Sequence, residues 1–316
     1  MQTATLGAQG PTVSALGIGT WAWGDTFFWN YGQQYGAAQV REAFEAAVAA
    51  GITLFDTAEV YGLGTSESLL GEFCQQTATP VAIATKYGPA PWRWRREDVR
   101  EAIAKSLQRL QGSQVALYQV HWPFTFLMSQ ETLLNALADA VADGQIATVG
   151  VSNYSADQMR EAQTILGRRG VPLAVNQVQY SLLHRQIERN GVLAAARELG
   201  VTILAYSPLA QGLLTGKYDP SQPQAPDGAR RWDRRFSPRG LQKLAPLLTL
   251  LGQVGDRHGK TPAQVALNWL LAQGEVIPIP GAKTATQATQ NAGALGWTLA
   301  TEEVAQLEQA SRPWLH

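Results

Sequence analysis

The stretch Gly51-Ile52-Thr53-Leu54-Phe55-Asp56-Thr57-Ala58-Glu59-Val60-Tyr61-Gly62 joins three signals in a dozen residues. Gly51 stops an amphipathic run at 40–50, residues 53–58 form a short apolar run, and that run carries the ionisable Asp56. A glycine-terminated helix followed by a buried strand is half of a βα repeat. Working outward, strand-like segments recur at 15–20, 53–58, 81–86, 115–122, 147–153, 173–180, 202–209 and 276–281. Helical patterns fall between them at 40–50, 97–110, 131–142, 156–166, 191–199 and 262–272. Ser155 and the pair Thr261-Pro262 mark helix starts, while Gly144 and Gly200 mark ends. Eight alternating strands imply a parallel sheet, and eight strands close a (β/α)8 TIM barrel, an α/β fold. The rival is a doubly wound open sheet. Gly17-Ile18-Gly19 lacks the third glycine of a dinucleotide-binding turn and leads into an aromatic loop, so the barrel is favoured.

The ends depart from the repeat. Residues 3–6 and 12–14, around Gln9-Gly10-Pro11, read as an N-terminal β-hairpin placed to plug the barrel bottom. The segment 218–240, after the seventh strand, carries Pro220, Pro223, Pro226, Pro238 and the basic run Arg230, Arg231, Arg234 and Arg235. It reads as a lid-like loop. No linker interrupts the alternation, so one barrel domain over 1–316 is expected.

Composition narrows the function. With 316 residues, 25 Lys+Arg and 25 Asp+Glu, the net charge is zero, which gives no global pull towards nucleic acid or an anionic membrane. The single Cys74 excludes an internal disulfide framework and cysteine metal clusters, and fits a reducing compartment. The start Met1-Gln2-Thr3-Ala4 lacks the basic and apolar regions of a signal peptide, and no apolar run reaches membrane-spanning length. A soluble cytoplasmic protein is expected. The four histidines are scattered, so no metal site is expected.

In a barrel the C-terminal strand ends share one face, where active sites sit. Asp56, Lys86 and His121 end three consecutive strands, with Tyr61 close after the first. Singly, each has a structural reading: an ion pair, a packed histidine, a turn aromatic. Together on one face they form a constellation. Asp56 offsets the desolvation of Lys86, and the ammonium should lower the Tyr61 phenol pKa from its usual value near 10. That arrangement reads as an assisted general acid.

The 51–62 stretch, continuing to Ser66-Glu67 and Leu70-Gly71-Glu72, resembles the signature of the aldo-keto reductase superfamily. Gly150-Val151-Ser152-Asn153, Asn176-Gln177-Val178-Gln179-Tyr180, the run from Ala205 to Lys217, and Ile277-Pro278-Ile279-Pro280-Gly281-Ala282-Lys283 match further family motifs in order. The likeness extends from Leu16 to about Asn291. It is strongest to the branch holding bacterial and plant general reductases and the channel β-subunits, and within it to cyanobacterial and chloroplast members.

The resemblance implies NADP(H) bound in extended form and a catalytic tetrad of Asp56, Tyr61, Lys86 and His121. Tyr61 would protonate a carbonyl oxygen, Lys86 held by Asp56 would tune it, and His121 would orient the carbonyl. Ser152, Asn153 and Gln177 would meet the nicotinamide amide, and Tyr206 would stack on its ring. Ser207, Pro208, Leu209, Gln211, Gly212 and Lys217 would follow the pyrophosphate, and Gly19, Thr20 and Trp21 would close the site from the first strand. Ile279, Pro280, Gly281, Ala282, Lys283 and Thr284 would run to the 2′-phosphate, where a cation and hydroxyl suit a dianion. Gln287 stands where a basic residue is usual, and Gln290-Asn291 where Glu-Asn is usual, so the preference for NADPH over NADH carries less margin. The loop arginines have two open readings: extra charge over the cofactor, or a solvated basic loop.

Of ten tryptophans, Trp21, Trp23, Trp29, Trp92, Trp94, Trp122 and Trp232 fall in loops on the site face. Trp21, Trp23, Trp29, Trp92 and Trp122 are expected to wall a substrate pocket, with Phe27, Phe28, Tyr31 and Phe124 nearby; a partner surface is the other reading. The function expected is NADPH-dependent reduction of aldehydes or ketones, with a small-molecule carbonyl as partner. An NADP(H)-sensing regulatory subunit with weak residual turnover is the alternative. Substrate identity and oligomeric state are not legible.

Overall fold

The structure is a computed structural model that describes residues 2–218, Arg230 and 232–315. Residues 219–229 and Arg231, which make up much of the lid-like loop, lie outside the described residues, as do Met1 and His316.

Two three-residue strands, β1 (Thr3–Thr5) and β2 (Thr12–Ser14), pair antiparallel as the N-terminal hairpin. The chain then alternates β3 (Gly17–Gly19), α1 (Ala37–Ala49), β4 (Leu54–Asp56), α2 (Thr65–Gln75), β5 (Ala82–Tyr87), α3 (Arg96–Leu110) and β6 (Val115–Val120). It continues with α4 (Gln130–Ala142), β7 (Ile146–Ser152), α5 (Ala156–Gly167), β8 (Leu173–Gln179), α6 (Val192–Leu199) and β9 (Thr202–Tyr206). Helices α7 (Pro238–His258) and α8 (Pro262–Leu271), strand β10 (Val276–Pro278), and helices α9 (Ala285–Ala292) and α10 (Thr301–Ala310) complete it. The eight strands β3 to β10 pair in sequence order, all parallel. A bridge between Gly19 and Gly281 joins the first strand to the end of the last, with Gly19 N–H donating to Pro280 O at 3.0 Å. This is the (β/α)8 barrel.

Two apolar layers hold it. Alternate strand residues Leu54, Ala84, Leu117, Val175, Leu204 and Ile277 fill the barrel interior, and Leu6 and Val13 of the hairpin close its bottom. The opposite face of the strands packs on the helices through residues such as Phe44, Phe55, Phe73, Leu137 and Leu267. Strand period two therefore sorts each strand between interior and helical layer. Helix α5 starts at a capping box: Ser155 Oγ accepts from Gln158 N, and Gln158 Oε1 accepts from Ser155 N at 2.9 Å. Ser155→Ala is expected to cost about 1 kcal/mol. A lowered urea midpoint with unchanged slope checks this, and an unchanged midpoint contradicts it.

Candidate functional site

With the interior full, the strands have only their C-terminal ends left to open on solvent on the side away from the hairpin. Lys86 and Ala84 are two apart on β5 and both face inward, which puts the ammonium one layer above the apolar filling. Its register partner is Gln119 on β6, and Gln119 in turn faces Gly150 on β7. A Cβ at Gly150 would lie 3.0 Å from Gln119 Cγ and Leu117 Cδ1, so the glycine makes room for the Gln119 amide.

That amide belongs to a buried cluster. Lys86 Nζ donates to Asp56 Oδ1 at 2.5 Å, to Thr57 O at 2.8 Å and to Tyr61 Oη at 3.3 Å. The other Asp56 oxygen accepts from Gln177 Nε2 at 2.7 Å and Gln119 Nε2 at 3.1 Å. The carboxylate is thus anchored on both oxygens, and the ammonium spends its donors on three acceptors. Burial disfavours the Lys86 ammonium, yet Asp56 and Tyr61 together raise its pKa above the ordinary value, so it stays charged. Tyr61 sits above the pair. Burial raises its phenol pKa; Lys86 opposes this and Asp56 adds to it, and the net direction is up. The simple expectation of a lowered phenol pKa is therefore corrected: desolvation outweighs the ammonium, and the hydroxyl keeps its proton.

His121 follows β6, its ring edge-on to Tyr61 with centroids 5.7 Å apart and stacked on Trp122 at 3.9 Å. Burial, and then the Lys86 charge, push its pKa down to about 2, so the imidazole is neutral; its Nδ1 is buried with no hydrogen-bond partner. A neutral imidazole beside a protonated phenol offers hydrogen bonds to one oxygen atom without a nearby proton acceptor of comparable basicity.

These groups end a cleft of about 610 Å³. At the Tyr61 end stand Ser152, Asn153 and Gln177; Tyr206 Oη donates to Asn153 Oδ1 at 3.1 Å, and Ser152 Oγ donates to Gln177 O at 2.9 Å. Gly19 and Trp21 after β3, and Ser207, Pro208, Leu209, Gln211, Gly212 and Lys217 after β9, also line the cleft. Ile279, Pro280 and Gly281 after β10, Lys283, and Gln287, Gln290 and Asn291 on α9 line it as well. Lys283 Nζ lies 4.5 Å from the Trp29 ring and 4.4 Å from that of Tyr35, and Arg230 lies 5.2 Å from the same Trp29 ring. Hydroxyl and amide donors, glycine backbone and cations lining one cleft suit a dinucleotide with anionic phosphates.

Several expected residues lie elsewhere. Thr20 is fully buried, its Oγ1 donating to Asp56 O at 3.0 Å, and Ala282 is buried with its carbonyl accepting from Trp23 Nε1 at 2.8 Å. Thr284 caps α9 by accepting from Gln287 N. Trp23 is no pocket wall: it is 0% exposed, its ring packed near Phe55 and Phe73 in the helical layer. Trp92 is 76% exposed and does not line the cleft. Trp21, Trp29 and Trp122 do line it. Gln119 has no role in the sequence reading, although its position two residues before His121 on the same strand face was a usable signal. Val60, Thr215, Thr261 and Ala263 also join the lining. Among the described residues no cluster of three or more His, Cys, Asp or Glu side chains is arranged to hold a metal ion. Nor, among them, is any helix long and apolar enough to cross a membrane.

Residues 15–312 match the Aldo/keto reductase family. The chain is 40% identical to a chloroplastic pyridoxal reductase of Arabidopsis thaliana, over 96% of this chain and 85% of that one. It is 33% identical to the aldo-keto reductase YhdN of Bacillus subtilis, over 96% and 91%. Among solved structures it superposes on a glycerol dehydrogenase from Gluconobacter oxydans with a TM-score of 0.86 and 29% identity, covering 98% of this chain and 94% of that one. The family match and the relatives make the chain an oxidoreductase. The chain belongs to the aldo/keto reductase family, whose members support carbonyl reduction as its general chemistry.

Proposed function

We propose that the protein is an NADPH-dependent reductase of aldehydes and ketones, working as one barrel domain on a small-molecule carbonyl. The observation that carries this is the Tyr61 hydroxyl 3.3 Å from the buried Lys86 ammonium at the end of the cleft. When bound, the reduced nicotinamide would supply a hydride to the carbonyl carbon. The C=O π pair moves to oxygen, and that oxygen takes the proton of Tyr61 Oη. Lys86 stabilises the phenolate left behind, and Asp56, fixed by Gln119 and Gln177, holds Lys86 in place. His121, neutral, orients the carbonyl oxygen towards Tyr61. Ser152, Asn153 and Gln177 would hold the nicotinamide amide and Tyr206 its ring face. Lys283, with Lys217 and Arg230, which also line the cleft, would meet the phosphates. A cytoplasmic location goes with the proposal and rests on the single cysteine; the Arabidopsis relative is named as chloroplastic.

Steady-state NADPH oxidation with a panel of aromatic and aliphatic aldehydes tests the reading, and pyridoxal belongs in the panel because a relative bears that name. Turnover supports it. Tight NADPH binding without turnover on any substrate would favour the regulatory-subunit alternative.

Two further outcomes are expected. Lys283→Gln should weaken NADPH binding about tenfold or more and leave NADH binding nearly unchanged, because a charge-assisted contact to a phosphate is worth about 1.5–3 kcal/mol. Equal losses for both nucleotides in fluorescence titrations would refute that role. The pH profile of reduction should show no inflection near the ordinary histidine value of about 6.5. Tyr61 must be protonated to donate, and its pKa is raised, so activity persists through neutral pH and falls only as pH rises past about 10. An inflection near neutrality that disappears in His121→Asn would contradict the neutral-imidazole assignment.

A further inference from the structure

Glu59 stands two residues before Tyr61, and the proposed reaction gives it no part. Its carboxylate is nonetheless held on both oxygens. Oε1 accepts from the Gly88 N–H at 2.6 Å and from Arg93 Nη1, and Oε2 accepts from Arg93 Nη2 at 3.0 Å. The guanidinium also donates to Gly88 O at 2.9 Å and lies 5.0 Å from the centre of the Tyr87 ring. With the Glu59 and Arg93 side chains 7% and 21% exposed, this is an enclosed, two-pronged pair rather than a loose surface one. Tyr87 and Gly88 follow Lys86 directly at the end of β5. The end of β5 therefore grips the turn after β4 twice: Lys86 meets the Tyr61 hydroxyl, and Gly88 with Arg93 meets Glu59.

The turn needs that grip. Tyr61 N donates to Ala58 O at 3.1 Å, and the next two residues, Gly62 and Leu63, are both left-handed, at φ +55° and +54°. A leucine in that region costs free energy and persists only where its surroundings hold it. The Leu63 side chain is 96% exposed and anchors nothing, while Gly62 lies against the backbone of Gly24. The contact from Lys86 to Tyr61 is itself long, at 3.3 Å. Gly88 permits the close approach on the other flank: a Cβ there would stand 2.9 Å from Val60 Cγ1 and 3.3 Å from Glu59 Oε1.

We propose that Glu59 and Arg93 are positioning residues for the proton transfer, an ion-pair clamp that fixes the Tyr61 hydroxyl beside Lys86. The proposal rests on the reductase reading of the site. Neither side chain lines the cleft, so both act through the backbone that carries Tyr61. A displacement of about 1 Å in a reacting group can cost on the order of 100-fold in rate.

The test is single-turnover oxidation of NADPH with cofactor and aldehyde both saturating, where the rate constant does not depend on how much protein is folded. Arg93→Met should lower that rate constant about 10–100-fold with NADPH affinity unchanged within about twofold, whereas a mere loop brace would lower only the amplitude. Arg93→Lys keeps the charge without the two-pronged grip and should recover part of the rate. Arg93→Met also strands the Glu59 carboxylate, so stability falls. Combining it with Glu59→Gln removes the stranded charge and should raise the urea midpoint again while the rate stays low. A rate constant in Arg93→Met within about twofold of the parent's, or one that returns with the midpoint in the double variant, overturns the clamp. A parent that binds NADPH yet oxidises it with no aldehyde overturns the reductase reading, and the clamp's role with it.

Discussion

Tyr61→Phe is expected to lower carbonyl reduction by about 10²–10⁴-fold while NADPH affinity stays unchanged. The substitution removes one oxygen and keeps the ring, so the edge contact with His121 and the tilted contact with Trp21 persist. What disappears is the proton that the developing alkoxide needs. No substitute stands ready: His121 is held neutral, Lys86 is fully buried beneath Tyr61, and Asp56 is tied to Lys86, Gln119 and Gln177. Water entering the gap gives residual turnover only. A Phe variant that keeps a tenth or more of kcat would show that the proton comes from elsewhere.

The second large effect is on stability. Lys86→Met is expected to cost about 3–5 kcal/mol, because removing one partner leaves the Asp56 carboxylate buried without its counter-charge. The pair is among the most enclosed in the protein, with side chains 0% and 3% exposed. Gln119 and Gln177 still donate to Asp56, which limits the damage but does not supply a charge. The double variant Asp56→Leu with Lys86→Met should recover part of the loss, since no buried charge then stands alone. Urea unfolding measures both. A Lys86→Met protein as stable as the parent would mean that water reaches the pair and screens it. Turnover should vanish in both variants, as the phenolate at Tyr61 loses its stabilising cation.

Much of the barrel was legible because parallel strands buried on both faces read as continuous apolar runs. The run at 53–58 contains β4, and the runs at 115–122 and 173–180 contain β6 and β8. The apolar runs overshoot the strands where ladder pairing stops before the run does, as at β10, which ends at Pro278 rather than 281. The helix α7 was less visible: it starts at Pro238, within the segment read as loop, and carries Pro246 inside. Asp56, Tyr61, Lys86 and His121 stood out because ionisable residues at the ends of apolar strands are unusual. The tryptophans resisted the same treatment. Trp21 and Trp23 lie two apart in a loop with no regular period, so nothing in the sequence says that one faces the cleft and the other finds Ala282 O in the core. The sign of the Tyr61 pKa shift is illegible for a similar reason: a neighbouring lysine shows in the sequence, while the degree of burial does not.

In the proposed reaction a hydride reaches the carbonyl carbon and Tyr61 gives the oxygen its proton. The most direct measurement follows deuterium from C4-deuterated NADPH into the alcohol by mass spectrometry, in parent and Tyr61→Phe proteins with matched cofactor binding. Label should appear on the carbinol carbon in the parent, and the rate of its transfer should fall about 100-fold or more in the variant. Label transfer at the parental rate in Tyr61→Phe, or no transfer to any carbonyl by a parent that binds NADPH, would contradict it.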